Sequence, residues 1–241
     1  MREIDRFDLL SGINIPYDGI CTFRSLTLND IRRKIGYPNY NLYVSLLSLD
    51  IDKYIKITGV DRDLLKDLCI FDLMISNEKL RYDFQTALST FILGKVNFME
   101  SRQAFEVVCG KNVGTIDRSN FENIQYGLSQ INCFPVKKQN KNLKFRNEYA
   151  RKLYEECGED GGAVDLNMSL QNIIASIVAY QSSYTYENVW SLTIYQLYDL
   201  FIRLNYKIPF TMGGIAWANG NANEFDFNAW YKDIYENEKE I

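Results

Sequence analysis

Hydrophobic residues recur at helical spacing along much of the first half of the chain. Two runs with steps of three and four residues place their apolar side chains on one helical face: Leu64, Leu68, Phe71 and Ile75, then Leu80, Phe84, Leu88 and Phe91. They predict two packed helices or one bent helix over 61–93. Thr27 with Asp30 resembles an N-terminal cap, and Gly36 followed by Pro38 ends that shorter helix. The first 95 residues are therefore expected to be mostly helical.

Two segments have the pattern of β structure instead. Apolar stretches at 13–15 and 20–26 enclose a turn with Asp18 and Gly19, which predicts a small hairpin. Between 95 and 116, short apolar runs alternate with polar residues and glycines, and this indicates a second small β element. A helix follows it, with apolar positions at Phe121, Ile124, Leu128 and Ile131.

The last third of the chain has the strongest helical pattern. One helix is predicted from Leu166, Leu170, Ile173 and Ile177, and a second over 187–206 from Trp190, Ile194, Leu197, Phe201 and Leu204. Tyr195 and Tyr198 widen the apolar face of the second helix beyond what one neighbour covers, so its own chain or a partner protein covers the rest. After Pro209 we expect a flexible glycine- and asparagine-rich stretch.

These elements predict an α+β protein that is predominantly α-helical. Residues 1–134 form a mainly helical region with a small β insertion near 95–116. Residues 135–162 form a basic and then acidic linker. Residues 163–241 form a helical hairpin with a mobile, tryptophan-containing tail. The tail segment 224–241 carries a net charge of −4 and is either a docking peptide or a helix folded back on its own domain.

Composition removes several classes of function. The 241 residues contain no histidine, which excludes Ser–His–Asp and Cys–His catalysis and histidine-ligated metals. The five cysteines form no CxxC pair, so zinc and dithiol redox motifs are absent from the sequence. We therefore predict no catalytic residue, no metal and no cofactor. A charged N-terminus and the lack of a long apolar run predict a soluble intracellular protein without a membrane partner.

A basic segment supports an alternative function. Residues 136–152 hold seven Lys or Arg and one Glu, a net charge of +6, although the whole chain is at −4. Phosphates attract such segments and nearby aromatic rings can stack on bases. The candidate nucleic-acid contacts are Lys137, Lys138, Lys141 and Lys144. The acidic chain contains no recognised nucleic-acid module, so nucleic acid is the less favoured partner.

Aromatic residues near the C-terminus favour protein binding, because Trp and Tyr anchor transient interfaces. The candidate partner-binding residues are Trp190, Tyr195, Tyr198, Trp217 and Trp230. Self-association of the chain is also left open.

The C-terminal segments LQNIIASIVAY (170–180), NVWSLTIYQLYDLFIRL (188–204) and GGIA (213–216), with the acidic tail, resemble tail and baseplate assembly proteins of tailed bacteriophages. The resemblance covers about residues 165–235. It implies a non-enzymatic role in virion morphogenesis, as a chaperone-like factor or a baseplate component that binds other tail proteins. It also implies a location in the host cytoplasm during assembly, or in the virion.

Overall fold

Helices make up most of the computed structural model, which describes residues 2–134, 169–221 and 224–229. It is 57 % helical with a small three-stranded sheet, so the predicted α+β, mostly helical fold is confirmed. Internal contacts divide the chain into two units. The first contains 1–137 together with Ser191–Tyr195, and the second contains 138–190 together with 196–241.

The first unit begins with helix α1 (Arg6–Ser11) and the predicted hairpin of β1 (Ile15–Tyr17) and β2 (Cys21–Phe23). The strands pair antiparallel, and the tight turn between them holds Asp18 and Gly19 at positive φ. Alternate side chains of both strands point into the core, as the period-two pattern requires.

Caps define the helices that follow. The Thr27 hydroxyl accepts from the Asp30 N–H at 3.1 Å, and the Asp30 carboxylate accepts from the Thr27 N–H, so α2 (Leu28–Asp30) starts with a capping box and continues as a π-helical turn. Burial alone would raise the pKa of Asp30, but hydrogen bonds from Lys34 and Thr27 outweigh it and lower the pKa. Helices α3 (Tyr37–Leu47) and α4 (Ile51–Thr58) come next.

The predicted helical face from Asp61 onward is partly wrong. Residues Arg62–Leu65 form a separate 3₁₀ turn, and helix α5 (Ile70–Ser76) begins only at Ile70. Asp61 accepts from the Asp63 N–H, two residues on, and this closes a short turn. The Asp72 carboxylate accepts a hydrogen bond from the Cys69 N–H, and this separate cap marks the start of α5. Leu64 is consequently 74 % exposed instead of buried with Phe71.

Helix α6 (Glu78–Phe91) leads into the β insertion, which is confirmed. Strands β3 (Lys95–Met99), β4 (Ala104–Cys109) and β5 (Asn112–Ile116) form an antiparallel sheet in that order. Five phenylalanine rings with centroids 5.1–6.0 Å apart fill the space between the sheet and the helices: Phe71, Phe84, Phe98, Phe105 and Phe121.

Helix α7 (Phe121–Asn132) is the central helix of the first unit, and the four apolar positions predicted for it are all buried. Gln125 donates from Nε2 to the carbonyls of Leu47 at 2.7 Å and Leu49 at 3.0 Å. At Gly127 the absent side chain leaves room for the rings of Tyr17 and Phe23. The helix therefore contacts the hairpin and the α3–α4 connection at once.

A short piece of the distant chain completes the first unit. The Leu28 N–H donates to the Leu192 carbonyl at 2.9 Å, and Thr27 and Thr193 form an isolated antiparallel bridge. Ser191–Tyr195 thus behaves as part of the N-terminal fold although the residues around it belong to the second unit.

In the second unit, α8 (Leu170–Tyr180) begins at Ser169, whose hydroxyl accepts from the Asn172 N–H at 3.3 Å. The long helix α9 (Ile194–Ala218) differs from the prediction at both ends. Residues Val189–Ser191 form a 3₁₀ turn, so α9 starts later than 187. It also continues through Pro209 to Ala218, where a flexible segment was expected.

Candidate protein-binding surface at the C-terminal helix

The structure separates the predicted partner-binding residues by exposure. Trp217 is 43 % exposed, whereas Trp190 and Tyr198 are half-buried. Trp190 donates from its indole Nε1 to the Tyr186 carbonyl at 2.7 Å, which fixes the ring on its own chain. Trp230 lies outside the described residues, as do all four predicted nucleic-acid contacts, Lys137, Lys138, Lys141 and Lys144.

Tyr195 requires a correction. Its ring is 3 % exposed and lies among the buried residues at the start of α9. A side chain so covered offers no area to another protein. The broad apolar face that the sequence shows at Tyr195 is covered by the chain itself, so Tyr195 is removed from the candidate interface.

Trp217 belongs to a cluster of four aromatic rings that was not predicted from the sequence. The Phe225 ring lies 4.9 Å from Phe210, 6.3 Å from Trp217 and 4.9 Å from Phe227, and Phe227 meets Trp217 edge to face at 5.2 Å. We call these four residues the aromatic cluster. Trp217 and Phe227, which is 58 % exposed, present the largest accessible areas in it.

Two glycines in α9 explain why the chain folds back there. A Cβ atom added at Gly214 would lie 3.1 Å from the Phe225 ring, and one added at Gly213 would lie 3.4 Å away. The glycine pair therefore gives the helix a flat surface on which the ring of Phe225 lies. Because the ring covers this backbone, the glycines stay helical although glycine disfavours a helix by about 1 kcal/mol relative to alanine.

A sequence signal for the cluster exists. Phe210 precedes the glycine pair by three and four residues, and Trp217 follows it by the same steps, so all four positions share one helical face. Two aromatic residues flanking a flat glycine surface, with an F-x-F segment a few residues on, indicate ring-on-helix packing. The prediction of a flexible glycine- and asparagine-rich stretch after Pro209 overlooked this periodicity.

The stretch of sequence that contains most of the cluster carries few charges. No Asp, Glu, Lys or Arg occurs between Lys207 and Glu224 in the sequence. Glu224 and Asp226 are exposed on either side of Phe225. Toward the start of α9, Arg203 donates from Nε to the buried carboxylate of Asp199 at 2.8 Å. The aromatic cluster is therefore an apolar surface with an acidic border.

The opposite side of α9 carries a second apolar surface. Ile208, Met212 and Ile215 recur at steps of four and three residues, about half a turn away from Phe210 and Trp217. Met212 is 65 % exposed and Ile215 is 55 % exposed. We call these three residues the aliphatic stripe.

In the first unit, an open groove of about 710 Å³ lies beside α6 and β3. In it the Arg81 guanidinium lies 4.6 Å from the centre of the Phe98 ring and 3.1 Å from a Glu100 carboxylate oxygen. These contacts stabilise the junction of helix and sheet. In residues 2–134, 169–221 and 224–229, no three acidic or cysteine side chains come close enough together to hold a metal ion.

The thiols of buried Cys21 and half-buried Cys69 are poor nucleophiles. Burial raises the pKa of Cys21 to about 12, with a further rise from nearby Asp18. Burial also raises the pKa of Cys69. Since the thiolate is the reactive form, both side chains stay protonated and unreactive near neutral pH.

Among the described helices, none is both long and apolar enough to cross a membrane.

Comparison with known proteins gives a match to the C-terminal part of the chain. A family model described as the YomV second domain matches residues 161–235, which include α8, α9 and the aromatic cluster. No curated protein and no solved structure matches the chain. The family name derives from a Bacillus prophage, and the match covers nearly the same residues as the resemblance to phage assembly proteins. The C-terminal third of the chain is thus similar to a phage-associated domain.

Proposed function

We propose that this chain is a non-enzymatic phage morphogenesis protein that binds another tail or baseplate protein through the aromatic cluster. The observation that carries the proposal is the exposure of Trp217 and Phe227 within a fixed set of rings. The similarity of residues 161–235 to a phage-associated domain supports the phage setting. The complete lack of histidine supports a role outside catalysis.

The physical properties of the cluster suit a binding surface. Trp and other large aromatic residues contribute most of the energy at protein interfaces, above all where they are held rigidly before binding. The Phe225 ring, placed between α9 and Phe227, holds the neighbouring rings at fixed distances. Exposed Glu224 and Asp226 border it. The partner is then expected to present an apolar pocket with Lys or Arg at its rim.

Affinity capture with matched variants tests this function. The tagged full-length chain is expressed in cells in which its phage replicates, and bound proteins are identified by mass spectrometry. We expect a phage virion protein to be captured, and its recovery to fall at least tenfold in the double variant Trp217→Ala, Phe227→Ala. Tyr82→Ala is the control, because Tyr82 is an aromatic residue of the first unit with 71 % exposure. Equal recovery with the wild-type chain and the double variant would contradict the proposal.

The basic segment 136–152 supports a second candidate, nucleic-acid binding through Lys137, Lys138, Lys141 and Lys144. Its net charge of +6 is the observation in its favour. Binding of single-stranded DNA would then weaken steeply between 50 and 200 mM salt, with a slope set by the number of phosphates contacted. A fourfold Lys→Gln variant that binds as well as the wild-type chain would exclude this candidate.

A further inference from the structure

The first unit contains a contact that joins an aromatic ring, an arginine and a carboxylate. The Arg81 guanidinium lies 4.6 Å from the centre of the Phe98 ring and 3.1 Å from a Glu100 carboxylate oxygen. A guanidinium suits both partners at once, because it stacks on a ring with its flat face and donates to a carboxylate from its edge. The Arg81 side chain is 22 % exposed, so the two contacts hold it against the fold.

The aromatic cluster presents two of these three groups. Trp217 and Phe227 are 43 % and 58 % exposed, and their rings meet at 5.2 Å and nearly at right angles. Exposed carboxylates lie on both sides of Phe225, at Glu224 and Asp226. The face of an aromatic ring is electronegative and attracts cations, and the indole of Trp attracts them most strongly. The surface therefore combines exposed ring area with negative charge.

The charges of the cluster favour a cationic group on the partner. From 208 to 231 the sequence contains two charged residues, Glu224 and Asp226, and both are acidic. Asp226 also accepts from the Asn228 N–H at 3.0 Å, which leaves its negative charge in place. Arginine fits this surface better than lysine. A guanidinium can stack on the indole and donate to a carboxylate at the same time, whereas an ammonium acts as a point charge.

We propose that the aromatic cluster binds an arginine of its partner protein, with the guanidinium stacked on Trp217 and hydrogen-bonded to Glu224. The inference rests on the proposed function and names the side chain that the same surface recognises. Phe227 meets the indole edge to face, so it borders the stacking site. Apolar side chains beside the arginine in the partner would then cover the ring of Phe227.

Titration of the full-length chain with short peptides tests the arginine directly. The probe is the capped peptide Ala-Leu-Arg-Leu-Ala. Its two controls replace arginine by lysine, or by citrulline, which keeps the shape of arginine without the charge. Binding is followed by NMR through the indole N–H signal of Trp217, identified as the signal missing from Trp217→Phe.

We expect the arginine peptide to bind at least threefold more tightly than the lysine peptide and at least tenfold more tightly than the citrulline peptide. An arginine peptide that binds no more tightly than either control overturns the proposal. So does an indole signal that stays unchanged up to about 10 mM arginine peptide, since exposed cation–π and ion-pair contacts give binding in the millimolar range.

Matched variants test the carboxylate. Glu224→Gln should weaken binding of the arginine peptide at least threefold and reduce its dependence on salt, because an exposed ion pair is lost. Glu187→Gln is the control and should leave binding unchanged, since Glu187 is another exposed acid of the second unit. Far-UV circular dichroism checks that both variants keep their helices. A Glu224→Gln variant that binds the arginine peptide as the wild-type chain does overturns the proposal.

The capture experiment separates this inference from the proposed function. Recovery of a virion protein that falls in the double variant Trp217→Ala, Phe227→Ala and also in Glu224→Gln supports both. Recovery that falls in the double variant but stays the same in Glu224→Gln supports the proposed function and overturns the arginine. Recovery that is unchanged in the double variant contradicts the proposed function and, with it, the inference.

Discussion

Gly127 in α7 allows a prediction in which two opposing effects can be compared. Replacing a glycine in a helix by alanine stabilises the helix by about 1 kcal/mol. At Gly127, however, the added Cβ would lie 2.5 Å from Cε2 and 2.9 Å from Cζ of Phe23, and 3.0 Å from Cε2 of Tyr17. Carbon atoms in contact are normally about 3.5–4.0 Å apart. The two rings would have to move by roughly an ångström.

Neither ring has room to move. Tyr17 and Phe23 are both fully buried, and their centroids are 4.7 Å apart. Adding a methyl group to a filled core costs about 1–3 kcal/mol, and contact with two rings places this site toward the upper end. After the gain in helix propensity is subtracted, we expect Gly127→Ala to lower the free energy of unfolding by about 1–2 kcal/mol.

Thermal unfolding followed by far-UV circular dichroism measures this effect. For a chain of this size the expected loss corresponds to a Tm lower by about 2–8 °C. Gly213→Ala is the control, since its Cβ would lie at an ordinary 3.4 Å from the Phe225 ring and the helix should become slightly more stable. A Gly127→Ala variant at least as stable as the wild-type chain would refute the reasoning.

Three further predictions follow from other contacts. Gln125→Leu removes the hydrogen bonds to Leu47 and Leu49, and leaving these carbonyls unpaired should lower the free energy of unfolding by about 1–3 kcal/mol in urea titrations; an unchanged midpoint would contradict it. Cys21 and Tyr17 have pKa values of about 12 in the folded chain, above the ordinary 9.0 and 10.0, so the folded state holds protons that the unfolded chain releases. Stability should therefore fall as pH rises from about 9 toward 12, and Tm should decline less steeply in Cys21→Ala. Phe225→Ala uncovers the glycine pair, and amide exchange in 210–218 should then rise at least tenfold while exchange in α8 stays the same.

Local signals in the sequence predicted the fold where they acted alone. The capping box at Thr27 and the Asp18–Gly19 turn each need a few adjacent residues, and both were found as expected. The apolar positions of α7 were also predicted correctly. Leu64 was misplaced because periodicity does not show where one helix ends, and the cap at Cys69 that starts α5 interrupts the run.

The candidate surface was harder to predict than the fold. Tyr195 and Trp217 are both aromatic residues on α9, yet Tyr195 is covered and Trp217 is not. That difference depends on contacts between segments distant in sequence, which composition and spacing do not reveal. The role of Phe225 likewise depends on the return of the chain to Gly213 and Gly214, which the spacing of these glycines from Phe210 and Trp217 indicates only when the segment after Pro209 is recognised as helical.

The five residues Ser191–Tyr195 have a practical consequence for anyone dividing this protein into fragments. A fragment ending near 137 would lack the strand-like piece that supplies the Leu192 carbonyl to the Leu28 amide. A fragment spanning 161–235, the extent of the family match, would carry that piece away from the fold that it completes. A single cut in the chain therefore does not yield two complete units. Adding a synthetic peptide that contains 191–195 to the N-terminal fragment is the direct way to restore the missing contact with Leu28.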